Sequence, residues 1–113
     1  MSAPKMLTEL LTCQHFHGSF FAGNKFREVF SPYNGLAIGK VALADREDVE
    51  KIIDKAQQAF KLWRTTPIKE RVQVLFRFRE ILLRDLDKIS NVVALESGKT
   101  VEEAKAGVMK GVE

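Results

Sequence analysis

The chain has 113 residues, of which 45% are hydrophobic and 29% charged, a composition that excludes intrinsic disorder and is typical of one small globular domain. Its net charge of +3 comes from lysines and arginines that alternate with acidic residues, a pattern that predicts a solvated surface and excludes the basic face of a nucleic-acid-binding protein. The single cysteine rules out a disulfide framework, and the apolar runs are too short to span a membrane.

Residues 1–13 form an N-terminal lead. Met6, Leu7, Leu10 and Leu11 predict either one or two helical turns or a flexible segment, and the neighbouring residues do not decide between these alternatives. The lead contains no apolar core of signal-peptide length. Together with the lone cysteine, this predicts a cytoplasmic protein that neither enters nor binds a membrane.

Short β segments separated by turns are predicted between Gln14 and Leu43. Aromatic and β-branched residues are enriched in them, and Gly23-Asn24 and the S-P-Y-N-G sequence at 31–35 mark the turns. Asn34-Gly35 supplies the positive φ angles that a tight antiparallel hairpin needs. Because such a ribbon is only marginally stable in water, we expect it to pack on the helices or on protein outside this sequence.

The stretch from Asp45 to Gly98 predicts two amphipathic helices in series, because its apolar residues recur at offsets of three and four. The apolar stripes comprise Val49, Ile52, Ile53, Ala56, Ala59, Phe60 and Trp63 in the first helix, and Ile68, Val72, Leu75, Phe76, Leu82, Leu83, Leu86, Ile89 and Val93 in the second. Burial supplies most of the stability of such helices, so we expect the two stripes to cover each other.

The predicted helix boundaries coincide with capping residues. Asp45 is a good N-cap for the first helix, with Asp48 at the third helical position. We expect Thr66 to cap the second helix and Pro67 to occupy its first position, where a missing N–H costs nothing. Gly98 then ends that helix in the left-handed conformation.

A third helix is predicted to begin at Thr100, which forms a T-x-x-E capping box with Glu103. Its apolar face comprises Val101, Ala104, Val108 and Val112. The apolar period is still running at Glu113, so we expect the sequence to be the beginning of a longer protein. The predicted fold class is therefore an α+β fragment, a short antiparallel β ribbon followed by three amphipathic helices.

From Phe16 to Glu113, the order of these features resembles the N-terminal segment of the NAD(P)-dependent aldehyde dehydrogenases. The turn at 31–35 is similar to that family's N-P-A-T-G turn, and Ile38-Gly39-Lys40-Val41 is similar to its I-G-x-V strand. Glu96-Ser97-Gly98-Lys99-Thr100 resembles its E-x-G-K-[TP] signature. Further similarities lie at Phe16-His17-Gly18-Ser19-Phe20, Asp48-Val49, Ala56, Ala59-Phe60, Trp63-Arg64 and Pro67 to Arg71. The segment is also reminiscent of the methylmalonate-semialdehyde, succinate-semialdehyde and pyrroline-carboxylate branches, without separating them.

The resemblance implies that residues 14–113 belong to the cofactor-binding and outer-helix region of a larger α/β enzyme, usually a dimer or tetramer. In that family a cysteine thiolate attacks an aldehyde, hydride passes to NAD or NADP, and a glutamate-activated water hydrolyses the thioester to the carboxylic acid. The family's cysteine, glutamate, oxyanion asparagine and phosphate-binding glycines all lie in its later sequence. The resemblance therefore implies no catalytic, cofactor-binding or metal-binding residue in this chain, which alone should neither bind NAD(P) nor turn over.

Two kinds of side chain invite a catalytic or metal-binding interpretation, and neither is favoured. Cys13 precedes the matched region and has no electropositive neighbour or base placed by a motif, so we interpret it as a passive thiol. His15 and His17 alternate and should share one face of a strand. No third ligand stands at zinc spacing, so they are interpreted as histidines on the strand surface.

The remaining candidates are glycine motifs. Gly98-Lys99-Thr100 is like the end of a P-loop, but the glycine four residues earlier is missing, so a helix stop explains Gly98 better. Gly107 and Gly111 lie one turn apart and indicate close packing. A phosphate-binding loop is not favoured, since no strand precedes them and no Gly-Lys-Ser/Thr follows. Glu96 and Lys99 are interpreted as a solvated pair, with a contact between domains or subunits as the alternative.

Two hypotheses for function follow. The first is the N-terminal portion of a dehydrogenase that oxidises an aldehyde or semialdehyde. The second is a stand-alone truncated paralogue that acts as a non-catalytic interaction or oligomerisation module. Under either hypothesis the expected partner is the remainder of the enzyme or a second copy, which would contact the exposed helix faces.

Overall fold

The computed structural model describes residues 1–113 as five short strands followed by four helices. The strands are β1 (Leu11–Cys13), β2 (His15–Phe16), β3 (Phe20–Phe21), β4 (Lys25–Phe30) and β5 (Ala37–Leu43). The helices are α1 (Arg46–Trp63), α2 (Ile68–Arg84), α3 (Leu86–Ser97) and α4 (Val101–Val112). A small β structure that precedes helices confirms the predicted α+β class.

Strands β4 and β5 form the predicted antiparallel hairpin around the S-P-Y-N-G turn. The connection closes through two backbone bonds, from the Ser31 N–H to the Leu36 carbonyl (2.9 Å) and from the Gly35 N–H to the Ser31 carbonyl (2.8 Å). Gly35 has a φ of +71°, whereas Asn34 has a negative φ. The prediction of positive φ angles in this turn is therefore right for the glycine and wrong for the asparagine. The Asn34 Oδ1 instead accepts a hydrogen bond from the Leu36 N–H at 3.0 Å.

Strand β1 lies on the other edge of β5, and this pair is parallel, with Leu11 opposite Gly39 and Cys13 opposite Val41. The helical-turn alternative for the N-terminal lead is therefore wrong, and the β ribbon is only partly antiparallel. Gly39 makes the pairing possible, because a Cβ at that position would lie 2.6 Å from the Leu11 carbonyl oxygen. Strands β2 and β3 form a separate two-stranded antiparallel ribbon.

The stretch predicted as one second helix is two helices, so the chain has four helices rather than three. Asp85, with φ −99° and ψ 13°, interrupts the helical conformation between α2 and α3. The apolar period continues through this position, which is why the sequence pattern concealed the break. Arg84 donates to both carboxylate oxygens of Asp85 at 3.0 and 2.8 Å, and this bond lowers the pKa of Asp85.

The predicted N-cap at Asp45 and the predicted capping box at Thr100 are both confirmed, and the structure shows that Asp45 and Asp48 also form a capping box. At the start of α1, the Asp48 N–H donates to the Asp45 carboxylate at 2.8 Å, and the Asp45 N–H donates to the Asp48 carboxylate at 3.1 Å. Thr100 and Glu103 make the same reciprocal pair at the start of α4. Gly98 ends α3 with a φ of +76°, also as predicted.

The predicted cap of the second helix is wrong. The Thr66 hydroxyl donates to the Leu62 carbonyl at 3.0 Å and so completes the end of α1. Pro67 precedes the first residue of α2 and makes no side-chain cap. The Leu62 carbonyl also accepts from the Thr65 N–H at 3.2 Å and from the Thr65 hydroxyl at 2.9 Å, so both threonines close the end of α1.

The core of the chain is small and lies between α3 and α4. Only nine of 113 residues are buried, among them Ala94 and Leu95 on α3 and Ala104 on α4. Neither α1 nor α2 has a buried residue, so the expectation that their stripes cover each other is wrong. The radius of gyration is 17.1 Å and the thinnest dimension 18 Å. A compact domain of this length would have a radius of gyration of about 13 Å.

Candidate interaction surface

Helices α1 and α2 present a large set of exposed apolar side chains, which we call the α1–α2 apolar surface. Its members are Val49, Ile53, Phe60, Leu62 and Trp63 on α1, and Ile68, Val74, Leu75, Phe76, Phe78 and Ile81 on α2. Leu75 is 63% exposed and Phe78 55% exposed. So many large exposed apolar side chains on two neighbouring helices are typical of a surface that another protein element covers.

Helix α2 is apolar around most of its circumference. At a rotation of 100° per residue, the apolar positions 68, 72, 74, 75, 76, 78 and 81 together span an arc of about 220°, with 75 and 78 adjacent within it. A helix that is apolar on so much of its circumference is normally enclosed within a larger protein. Within this chain, however, α2 makes its main contacts with α3 and α4, and these bury none of its residues.

Two arginines interrupt the apolar circumference of α2. Arg71 is half-buried, and its Nε is shielded from solvent without a hydrogen-bond partner. Arg79 lines an open cavity of about 430 Å³ between α2 and the end of α4, together with Val72, Leu75, Phe76, Gly111, Val112 and Glu113. Neither arginine makes a salt bridge, although Glu113 lines the same cavity. Arg71 was predicted as an ordinary surface charge; its place within the apolar stripe is the sequence signal that distinguishes it.

The two turns that carry the strongest motif similarity lie against each other. The Ser31 hydroxyl donates to the Leu95 carbonyl at 3.0 Å, and the Tyr33 hydroxyl donates to the Lys99 carbonyl. Pro32 packs against Gly98, where an added Cβ would lie 3.0 Å from the proline ring. The S-P-Y-N-G turn therefore fixes the α3–α4 pair relative to the sheet.

The first residues of the N-terminal lead bind across the same helix pair. The Ser2 N–H donates to both carboxylate oxygens of Glu102 at 3.0 and 2.8 Å, and the Ser2 hydroxyl donates to one of them at 2.8 Å. These hydrogen bonds lower the pKa of Glu102 to about 2. Lys5 and Asn91 exchange two further bonds, in which the Lys5 N–H donates at 2.7 Å and the Asn91 side-chain amide donates at 2.9 Å. Residues 2–5 of the N-terminal lead thus form a strap over α3 and α4, whereas Leu11–Cys13 pair with β5.

The two histidines lie on one face of the β2–β3 ribbon, as expected, with their rings on either side of Phe21 at centroid distances of 4.8 and 4.9 Å. The prediction that both lie on the strand surface is wrong for His15, which is 7% exposed, whereas His17 is half-buried. The His15 Nε2 lies 3.4 Å from an Asp48 carboxylate oxygen but makes no hydrogen bond. His15 therefore packs the β2–β3 ribbon against the start of α1.

The other candidates from the sequence do not form a site together. Cys13 is exposed on β1, opposite Val41. Gly98, Lys99 and Thr100 form the turn between α3 and α4, and an added Cβ at Gly107 or Gly111 would meet nothing within 4 Å. Glu96 and Lys99 are both exposed. No group of three or more His, Cys, Asp or Glu side chains is placed to hold a metal ion.

None of the helices is both long and apolar enough to span a membrane.

Comparisons with known proteins agree with this architecture. The aldehyde dehydrogenase family model matches residues 20–113. A malonate-semialdehyde dehydrogenase of Pseudomonas aeruginosa is 42% identical over 98 residues, which are 86% of this chain and 20% of the relative.

Two solved structures are also similar. A methylmalonate-semialdehyde dehydrogenase of Oceanimonas doudoroffii superposes with a TM-score of 0.83 at 32% identity, over 90% of this chain and 22% of that one. A Sinorhizobium meliloti structure solved in complex with NAD superposes with a TM-score of 0.85 at 27% identity, over 94% of this chain and 22% of that one. The chain thus spans about a fifth of the length of the relatives that it matches. It belongs to the aldehyde dehydrogenase family.

Proposed function

We propose that residues 14–113 are the N-terminal part of the cofactor-binding and outer-helix region of a dehydrogenase, preceded by the N-terminal lead of residues 1–13. The whole enzyme would oxidise an aldehyde or semialdehyde to the carboxylic acid, with NAD or NADP as hydride acceptor. Two observations together carry this proposal. The chain matches only a fifth of a malonate-semialdehyde dehydrogenase, and within the chain neither α1 nor α2 has a buried residue.

The role of this segment in that enzyme is structural. It supplies the sheet, the strap and the helix pair, whereas the thiol, the base and the cofactor-binding residues would come from the rest of the protein. The segment alone is expected to bind no NAD or NADP and to oxidise no aldehyde. The complete enzyme is expected to be a cytoplasmic homo-oligomer. The names of the similar proteins favour malonate or methylmalonate semialdehyde as the substrate class.

A chimera tests this proposal. Residues 14–113 would replace the matching segment of the Pseudomonas aeruginosa relative, and NADH formation from malonate semialdehyde would be followed by absorbance. We expect a folded chimera with turnover of the same order as the parent enzyme, and no turnover by the isolated chain. A folded but inactive chimera, or an isolated chain that oxidises aldehydes, would contradict the proposal.

The exposed α1–α2 apolar surface also supports a second function, that of a stand-alone interaction module. Such a module would bind a second copy or a dehydrogenase supplied in trans through that surface. Sedimentation velocity of the isolated chain, alone and with the Pseudomonas aeruginosa enzyme, separates the two functions. A defined complex would support the module, and a monomer that does not bind the enzyme would count against it.

A further inference from the structure

Arg71 carries chemistry that this chain does not complete. Its Nε is one of two side-chain nitrogens or oxygens in the structure that are shielded from solvent and have no hydrogen-bond partner. Arg71 as a whole is only partly buried, but its Nε is shielded from solvent, and polar atoms in such a position are almost always paired. The Arg71 Nε therefore lacks an acceptor within this chain.

The position of Arg71 on α2 shows which face the missing acceptor must approach. Arg71, Leu75, Phe78 and Leu82 follow one another at offsets of four, three and four, so they share one face of the helix. Leu75 and Phe78 on that face are more than half exposed. Any protein surface that covers these two apolar side chains also encloses the Arg71 guanidinium.

The net charge of α2 indicates the chemical class of the missing acceptor. Between Ile68 and Arg84 there are five basic and two acidic residues, and only Arg84 makes a salt bridge. The excess of three positive charges equals the net charge of the whole chain. A planar guanidinium pairs best with a carboxylate, which accepts two parallel hydrogen bonds. The complementary surface is therefore apolar and carries an acidic side chain.

We infer that Arg71 is the polar anchor of the α1–α2 apolar surface and receives a carboxylate from the remainder of the dehydrogenase, an inference that rests on the proposed function. The apolar contacts supply most of the attraction. The arginine selects the partner surface, because any surface without an acceptor would leave a buried charge unpaired.

The thermal unfolding temperature of the active chimera tests this inference. Arg71→Met keeps a long apolar stem but removes the charge, and we expect it to lower Tm by about 5 °C or more, since a carboxylate is left buried alone. Arg71→Lys should recover part of the loss, and Arg71→Glu should be the worst of the three. The matched control is Lys69→Met, an exposed cation on the polar side of α2, which should change Tm by no more than about 1 °C.

The outcomes separate this inference from the proposed function. An inactive parental chimera contradicts the proposed function. An active chimera in which Arg71→Met is as stable as the parent contradicts the anchor, because it shows that only the stem of Arg71 contributes. Two results from the isolated chain would also overturn the inference, namely a dimer that Arg71→Met dissociates, or binding to phosphatidylserine vesicles that Arg71→Met abolishes. In those cases a second copy or a lipid surface would be the occupant.

Discussion

The Ser31 hydroxyl donates to the Leu95 carbonyl across 64 residues of sequence, and both residues are sealed from solvent at 1% and 0% exposure. Leu95 lies in the last turn of α3, where carbonyl oxygens lack backbone donors. The turn between β4 and β5 thus satisfies the end of a helix that begins far along the chain.

Replacing Ser31 should therefore destabilise the fold. Ser31→Ala leaves a buried carbonyl without its donor, which costs about 1–3 kcal/mol of unfolding free energy. Urea unfolding of the chimera measures the loss. Ser19→Ala, at an exposed position in the β2–β3 turn, is the control and should have little effect. Equal stability of the two variants would mean that water replaces the Ser31 hydroxyl.

Gly98 should not tolerate a side chain. Gly98→Ala places a Cβ in the left-handed conformation at φ +76° and 3.0 Å from Pro32. The left-handed conformation alone costs about 1–2 kcal/mol. Gly107→Ala is the matched control, since it lies within α4 and its Cβ would meet no atom within 4 Å. We expect this control to stabilise the fold by about 0.5–1 kcal/mol. A lower free energy of unfolding in urea for Gly98→Ala and a higher one for Gly107→Ala would confirm the prediction. Losses of equal size in the two variants would contradict it.

The attachment of β1 should depend on the absence of a side chain at residue 39. Gly39→Ala would place a Cβ 2.6 Å from the Leu11 carbonyl, so β1 must shift away from β5. In the isolated 113-residue chain, we expect faster amide hydrogen exchange at residues 11–13, with exchange in α4 unchanged. Gly111→Ala, whose Cβ would meet nothing, provides the control. Unchanged protection of β1 in the Gly39 variant would show that the strand accommodates the methyl group.

The strap should detach in acid. Hydrogen bonds from Ser2 lower the pKa of Glu102 from 4.5 to about 2. A carboxyl whose pKa is lowered in the folded state contributes stability above its ordinary pKa and loses it as the pH falls through the folded value. The contribution should therefore be complete above pH 4.5 and decline toward pH 2. The Ser2 amide resonance of the isolated 113-residue chain, followed by NMR through an acid titration, reports the change.

Glu102→Gln is the control for that titration. An amide accepts hydrogen bonds but does not titrate in this range, so the Ser2 resonance of this variant should be insensitive to acid between pH 4.5 and 2. If both proteins show the same acid transition, a different carboxyl controls the strap.

The sequence by itself determined the features that depend on neighbouring residues. The N-cap at Asp45, the capping box at Thr100, the helix stop at Gly98 and the amphipathic periods each rest on interactions within a few residues, so the pattern was sufficient to predict them. The order of these local signals was also enough to indicate the family.

Only the tertiary structure decided the relationships between distant segments. The parallel pairing of β1 with β5, the burial of His15 against α1 and the unpaired Nε of Arg71 depend on which elements meet, and local periodicity carries no information about that. The break at Asp85 was hidden because the apolar period runs through it. The α1 and α2 stripes were predicted correctly as apolar faces but assigned the wrong cover, since periodicity shows that a face must be buried and not what buries it.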